Sequence, residues 1–332
     1  MRPIFSTRKT GIQRVASKIQ ARAERRPLQV SNGRVATASN APALKLAKPL
    51  WGVPANKHDW DELFSEYAEY RKYDAIEVPQ MVWRENPNLF SDLLQKHGLH
   101  VICQIHTTGG DLDSKGNHLD ITSNKPADHV ASLKTLVAEA KALNPLMINV
   151  HSGHASWSVT TACDYFKAAL DIEADAGVPL VHETHRQSLL GFPGSASQIL
   201  QRTDMQELKI SLDVSQWDLA CRQERFYSED KPWYEPMWML DAPSELFKTA
   251  AEHTFFMRAR VDWDQGPKVV DFEDKYEYTD EYNPVMLAHL HWWAHIWLEQ
   301  ARRGVSEFWV TTMDDFWLEC GIVDDYYETF DE

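Results

Sequence analysis

VPLVHETHR, residues 178–186, is a short apolar run that ends in a block of ionisable side chains. A brief apolar run bounded by polar residues is typical of a strand buried on both faces in a parallel sheet. Similar runs recur along the chain, which gives eight in all: Leu50–Val53, Ala75–Val78, His100–Ile105, Leu146–Val150, Val178–His182, Lys209–Leu212, Phe255–Val261 and Phe308–Thr312. Helical periodicity fills the intervals, at about 57–72, 88–96, 126–143, 157–176, 195–204, 242–252 and 284–303. This alternation predicts parallel βα units.

Eight such units favour a closed (β/α)8 TIM barrel, for which a length of about 250 residues is typical. The rival fold is an open doubly wound sheet, which usually carries a glycine-rich first turn. Here Val53 is followed by Pro-Ala-Asn-Lys, without a G-x-G-x-x-G motif. We therefore predict an α/β protein with a TIM barrel over residues 50–325 and an acidic tail over 326–332.

Charge is distributed unevenly along the 332 residues, which carry 34 Lys and Arg against 49 Asp and Glu. The net charge of -15 argues against a nucleic-acid partner, because phosphate binding requires a basic surface. No apolar run approaches the roughly 20 residues of a membrane span, so no membrane association is predicted. The four cysteines are widely scattered, which indicates reduced thiols rather than disulfides.

The first 49 residues contain eleven Lys and Arg and one acid, Glu24. Apolar and basic side chains fall on opposite sides of a helix there, with Ile12, Val15, Ile19 and Ala23 facing away from Arg14, Lys18, Arg22 and Arg25. Such a basic amphipathic leader is typical of an organelle transit peptide. We predict a disordered or partly helical leader over 1–49 and a mitochondrial matrix location, with a plastid or a cytoplasmic protein as alternatives.

Ionisable residues follow most of the apolar runs, at the end of the barrel where TIM barrels carry their active sites. The residues placed there are His106, His151, His154, Glu183, His185, Arg186, Asp213, Arg258, Arg260, Asp314 and Asp315. Converging carboxylates and imidazoles bind divalent cations or perform acid–base catalysis. A long aromatic connection after the sixth run begins near Trp217 and is typical of a lid or a substrate wall.

The segments VHETHR at 181–186, LDVSQW at 212–217 and INVHSG at 148–153 resemble the xylose isomerase-like TIM-barrel superfamily. RARVDWDQGPKV at 258–269 and HLHWW at 289–293 are similar to the same group, and the likeness spans about residues 50–316. Within it, the chain looks most like the sugar phosphate isomerase/epimerase-like proteins.

The resemblance implies one divalent metal ion (Mn, Mg, Co or Zn) held by residues that follow strands five to eight. Glu183 and Asp213 match the first two ligands, and Asp314 or Asp315 stands where a glutamate is usual. Arg258 replaces the usual histidine ligand, and a guanidinium has no lone pair for a metal. Arg258 is able instead to pair with Glu183 or Asp213 and fill the cation's place.

The function implied is a sugar or sugar phosphate isomerase or epimerase that works by metal-assisted proton transfer through an enediolate. Its catalytic residues would be Glu183, Asp314 and Asp315. Its substrate-binding residues would be His106, His151, His154, His185, Arg186, Trp217, Arg258, Arg260 and Lys268. The alternative is a catalytically impaired barrel that binds a sugar or a protein partner without a metal. The expected partner is a small carbohydrate, and a homo-oligomer is left open.

Overall fold

A computed structural model of the chain describes residues 28–29, 35–36, 42–50, 59–70, 72–107, 124–185, 188–217, 245–260 and 284–311. Eight parallel strands form a closed barrel, in which neighbours along the chain are neighbours in the sheet and the last strand pairs with the first. The strands are β1 (Ala43–Pro49), β2 (Ala75–Pro79), β3 (His100–His106), β4 (Met147–His151), β5 (Leu180–Glu183), β6 (Lys209–Asp213), β7 (Thr254–Arg258) and β8 (Glu307–Thr311). The predicted TIM barrel is confirmed.

Seven of the described helices overlap the predicted intervals, and the short helix Gln80–Trp83 was not predicted. The described helices are α1 (Trp60–Ser65), α2 (Gln80–Trp83), α3 (Pro87–His97), α4 (Pro126–Ala140), α5 (Val159–Ala176), α6 (Pro193–Leu200), α7 (Glu245–His253) and α8 (Pro284–Arg302). Helix α1 continues as a π-helix over Glu66–Tyr70, and single 3-10 turns occur at Lys141–Leu143, Leu189–Gly191 and Thr203–Met205. Among the described helices, none is long and apolar enough to cross a membrane.

The first strand lies earlier than predicted. It spans Ala43–Pro49 rather than Leu50–Val53, so the barrel begins inside the segment interpreted as leader. The strand was not predicted because it contains Lys45 and Lys48, and these two charges were interpreted as part of the basic leader. The amine of Lys45 lies 3.1 Å from the Asp74 carboxylate, and Lys48 is buried with its amine over the Tyr67 ring.

The rest of the predicted leader lies outside the described residues, apart from Pro42 and a two-residue antiparallel pairing of Leu28–Gln29 with Val35–Ala36. Residues 326–332, the predicted acidic tail, also lie outside them. The transit peptide and the mitochondrial location therefore stay predictions.

Two hydrophobic clusters build the barrel. The larger one packs the outer faces of the strands against the helices. The smaller cluster is here called the floor. Its side chains alternate along the strands with the residues that face the helices, so they point into the barrel. The floor consists of Ala47, Ala75, Ile102, Met147, Val181 and Phe256. Because side chains of a strand alternate between its two faces, the residues two positions further along the same strands also point inward.

Candidate functional site

On five of the six strands that contribute to the floor, the next inward-facing position is polar, and on β1 it is Pro49. The five polar residues are here called the polar layer: Glu77, Gln104, Asn149, Glu183 and Arg258, each two residues after a floor residue of the same strand. Every one of these side chains belongs to a residue that is at most 3% exposed. Burying charges and amides without partners is costly, so the stability of the barrel depends on how these groups pair.

Arg258 joins two carboxylates across the barrel interior. Its Nε donates to Glu183 Oε2 at 2.7 Å, and its Nη2 donates to Glu77 Oε1 at 2.6 Å. The Asn149 side-chain amide donates to the same two oxygens, at 2.9 Å each. Of the two partners predicted for Arg258, Glu183 and Asp213, the structure shows the pairing with Glu183. Arg258 and Asn149 therefore hold the two acids together as one unit.

The two acids of this unit respond to their surroundings in opposite directions. Burial raises the pKa of Glu77, and the nearby Glu183 charge adds to that rise while Arg258 opposes it. Burial also disfavours the Glu183 carboxylate, but Arg258 and His151 outweigh it and hold the pKa of Glu183 well below its usual value. Glu183 is therefore the ionised partner of the Arg258 guanidinium, and Glu77 is the acid that more readily keeps a proton.

Three histidines, here called the histidine stack, lie against this unit. His151 Nε2 lies 2.9 Å from Glu183 Oε2 and 2.7 Å from the side-chain amide nitrogen of Gln104. Since a carboxylate only accepts, the imidazole donates in the contact with Glu183. The His151 ring lies between those of His106 and His185, with centroid distances of 4.0 and 4.6 Å. His106 is buried, whereas His185 is half-buried. The stack thus connects the buried Glu183 with the more exposed His185.

A second acid–guanidinium pair adjoins the first. Asp213 Oδ2 accepts from Arg260 Nη2 at 2.5 Å, and Asp213 Oδ1 accepts from the Ser215 backbone N–H and hydroxyl at 3.0 and 2.5 Å. Arg260 Nε donates to the Ser215 hydroxyl at 2.9 Å. Asp213 also contributes to raising the pKa of Arg258, which places the two pairs within electrostatic reach of each other.

The residues in this region do not fit a divalent cation. Glu183 Oε2 already accepts from three donors, and both oxygens of Asp213 are hydrogen-bonded. Within the described ranges, no group of three or more His, Cys, Asp or Glu side chains is arranged to hold a metal ion. Asp314 and Asp315, the other predicted ligands, lie outside those ranges.

Of the remaining predicted site residues, two lie apart from the hydrogen bonds of the polar layer and two lie outside the described residues. His154 is half-buried, and its Nδ1 contacts the Ser156 hydroxyl at 2.7 Å, away from the polar layer's hydrogen bonds. Trp217 is 1% exposed and donates from its indole to the Leu190 carbonyl at 2.6 Å, so it packs within the core rather than offering a ring face to a sugar. Arg186 and Lys268 lie outside the described residues.

Sequence reasoning missed Glu77, Gln104 and Asn149. Most of the predicted site residues close an apolar run or follow it, whereas these three lie within their strands. Their signal is the two-residue alternation with Ala75, Ile102 and Met147. A strand buried on both faces hides that alternation until its inward face is known.

Comparison with known proteins agrees with this architecture. The family described as xylose isomerase-like TIM barrel matches residues 64–246. No curated protein sequence matches the chain.

Solved structures similar to the chain share its fold at low identity. One is the probable 3-DHS dehydratase AsbF, involved in petrobactin synthesis, from Bacillus anthracis, with 13% identity, a TM-score of 0.50 and coverage of 85% of this chain and 99% of that one. The IolI protein with a bound zinc atom has 14% identity, a TM-score of 0.49 and coverage of 87% and 100%. A sugar phosphate isomerase/epimerase from Parabacteroides distasonis has 9% identity, a TM-score of 0.49 and coverage of 89% and 98%.

Proposed function

The chain belongs to the xylose isomerase-like TIM barrel family, and from this premise we propose that it is an isomerase or epimerase that moves a proton beside a carbonyl group. The proposed substrate is a sugar or sugar phosphate, because the family likeness and the solved relatives point to carbohydrate-like compounds. No step is assigned to a metal ion, since Arg258 and Arg260 already engage the acids that would hold one.

The contact between His151 and Glu183 is the observation that carries this proposal. Glu183 receives hydrogen bonds from Arg258 and Asn149 as well as from His151, so its carboxylate is fixed and charged. A fixed carboxylate orients an imidazole and stabilises the cation that forms when the imidazole takes a proton. Such a pair is suited to general acid–base catalysis.

Each group then has a distinct role. His151 exchanges the proton with the carbon next to the substrate carbonyl. Glu183 is a positioning residue that acts through His151. His185 and Arg260 lie nearer the barrel mouth, where they are suited to bind substrate oxygens and to stabilise the negative charge of an enediolate. Arg258 keeps Glu183 ionised and does not itself contact the substrate.

Proton exchange with solvent tests the proposal without knowledge of the product. The full chain is incubated in D2O with a panel of aldoses, ketoses and sugar phosphates, and loss of the C–H signal beside the carbonyl is followed by NMR. We expect exchange on a subset of the panel, and a decrease of about 100-fold or more in His151→Asn. His100→Asn is the matched control, because His100 is exposed at the opposite end of the barrel.

The positioning role of Glu183 has its own readout. Glu183→Gln should lower kcat for exchange while leaving KM nearly unchanged, and Glu183→Asp should restore part of kcat. An exchange rate that His151→Asn leaves intact would refute the assignment of His151.

The second candidate is a barrel that binds a sugar without transforming it. It is favoured by the burial of Glu77, Glu183 and Arg258, which are at most 3% exposed, and by the hydrogen bonds that Arg258 donates to both acids. A compound that raises the melting temperature but shows no proton exchange would support this candidate over the enzyme.

A further inference from the structure

We infer that two guanidinium groups occupy the place of a divalent cation in this barrel, so that it functions without a metal ion at Glu183 and Asp213. Arg258 contacts Glu183, and Arg260 contacts Asp213. These are the two acids that the family resemblance would assign to the metal. The inference does not depend on the proposed function, because it applies equally to an enzyme and to a sugar-binding barrel.

The charge of Arg258 and Arg260 supports their standing in for a divalent cation. Two guanidinium groups together carry the charge of one divalent cation, and arginine stays protonated at any pH at which proteins are folded. Both arginines are buried, Arg258 at 2% and Arg260 at 8% exposure. Their positive charge is therefore a fixed part of the fold, whereas a bound ion would enter and leave.

Geometry supports it as well. Arg258 uses its Nε and Nη2 on two different acids, at 2.7 and 2.6 Å, so it spans a gap between Glu183 and Glu77 as a bridging ion would. Arg260 likewise joins Asp213 and Ser215. A cation entering here would have to displace buried, charge-assisted hydrogen bonds, and it would gain no ligand from either arginine.

The test compares metal binding by the full chain with that of variants. Wild type, Arg258→His and Arg202→His are each equilibrated with Mn²⁺, Zn²⁺ or Mg²⁺, and then analysed for metal content and for melting temperature with and without EDTA. Arg202→His is the matched control, because Arg202 also pairs with a carboxylate, Asp204, but on the exposed surface.

Wild type is expected to hold no stoichiometric metal and to melt at the same temperature with metal or EDTA. Arg258→His offers an imidazole in place of the guanidinium, and a metal should raise its melting temperature by roughly 5 °C, reversibly with EDTA. Arg202→His should behave as wild type.

Two results would overturn the inference. One is a stoichiometric ion in wild type that is lost in Asp213→Asn, which would place a metal at the pair. The other is a folded Arg258→His protein that binds none of the three ions, since Arg258 would then not be occupying a cation site. If Arg258→His does not fold, the wild-type metal content and EDTA response decide the question alone.

Discussion

The polar layer lies on five of the six strands that carry the floor, two residues further along each strand, and both sets are buried. Ile102 in the floor is 0% exposed, and Glu183 in the polar layer is 3% exposed. What differs is how burial stabilises them. An apolar side chain gains from leaving water whatever its neighbours are, whereas a buried acid or guanidinium is tolerated only while its partner is present. The floor therefore stabilises the barrel unconditionally, and the polar layer does so only as a complete set.

Removing the cation from the polar layer should give the largest loss of stability. Arg258→Met leaves Glu183 and Glu77 facing each other without the cation that they share, and we expect the free energy of unfolding to fall by about 3–5 kcal/mol. Urea denaturation at neutral pH measures it. Arg202→Met, which breaks an exposed pair with Asp204, should change stability by less than about 1 kcal/mol. Equal effects of the two substitutions would contradict a partner-dependent layer.

Truncating the floor should cost somewhat less and leave the chemistry intact. Ile102→Ala removes buried methyl groups and leaves a cavity, with an expected loss of about 3 kcal/mol. The folded variant should keep the wild-type rate of proton exchange, because the hydrogen bonds of Glu183 with His151, Arg258 and Asn149 remain. Chemical denaturation and the D2O assay measure the two properties separately. A variant that remains folded but loses exchange would show that the floor also positions the site.

The sequence predicted the barrel well because its dominant signal is local. Seven of the eight apolar runs correspond to strands, and only the first was misplaced, since Lys45 and Lys48 resembled leader charges. The sequence also indicated that Arg258 would pair with Glu183 or Asp213, and Glu183 is its partner. The sequence did not predict the pairing of Arg258 with Glu77 across the barrel. Glu77 lies 181 positions from Arg258 along the chain, and only the closed sheet brings them together.

The outer face of β5 offers a third environment, in which a polar group is buried without charge. His182 lies between Val181 of the floor and Glu183 of the polar layer, and it contacts the Ser152 hydroxyl and the Phe166 ring. Burial lowers the pKa of His182 to about 3. Below pH 6.5 the unfolded chain therefore binds a proton that the folded protein excludes, so stability is lost as the pH falls.

The burial of His182 predicts that the free energy of unfolding depends on pH. Between pH 7.5 and pH 5, His182 should reduce the free energy of unfolding by about 2 kcal/mol. His182→Phe should remove that part of the pH dependence, although it also loses a hydrogen bond at every pH. His100→Phe, which makes the same substitution at an exposed position, is the matched control. Urea titrations at both pH values provide the comparison, and an unchanged slope in His182→Phe would mean that His182 is not held neutral.

The smallest expected loss of stability is at Ser215, beside the ion pair of Asp213 and Arg260. It tests whether the stability of that pair, like that of the polar layer, depends on every hydrogen-bonding partner being present. Ser215→Ala removes a hydroxyl that donates to Asp213 and accepts from Arg260, and we expect a loss of about 1–2 kcal/mol because both groups are buried. Ser156→Ala, at an exposed position, should change stability by no more than about 0.5 kcal/mol. If the two alanine variants are equally stable in urea, water replaces the lost hydroxyl at Asp213. The pair of Arg260 with Asp213 would then behave as a solvated ion pair. Dependence of stability on a buried partner would be confined to Arg258 and the acids that it contacts.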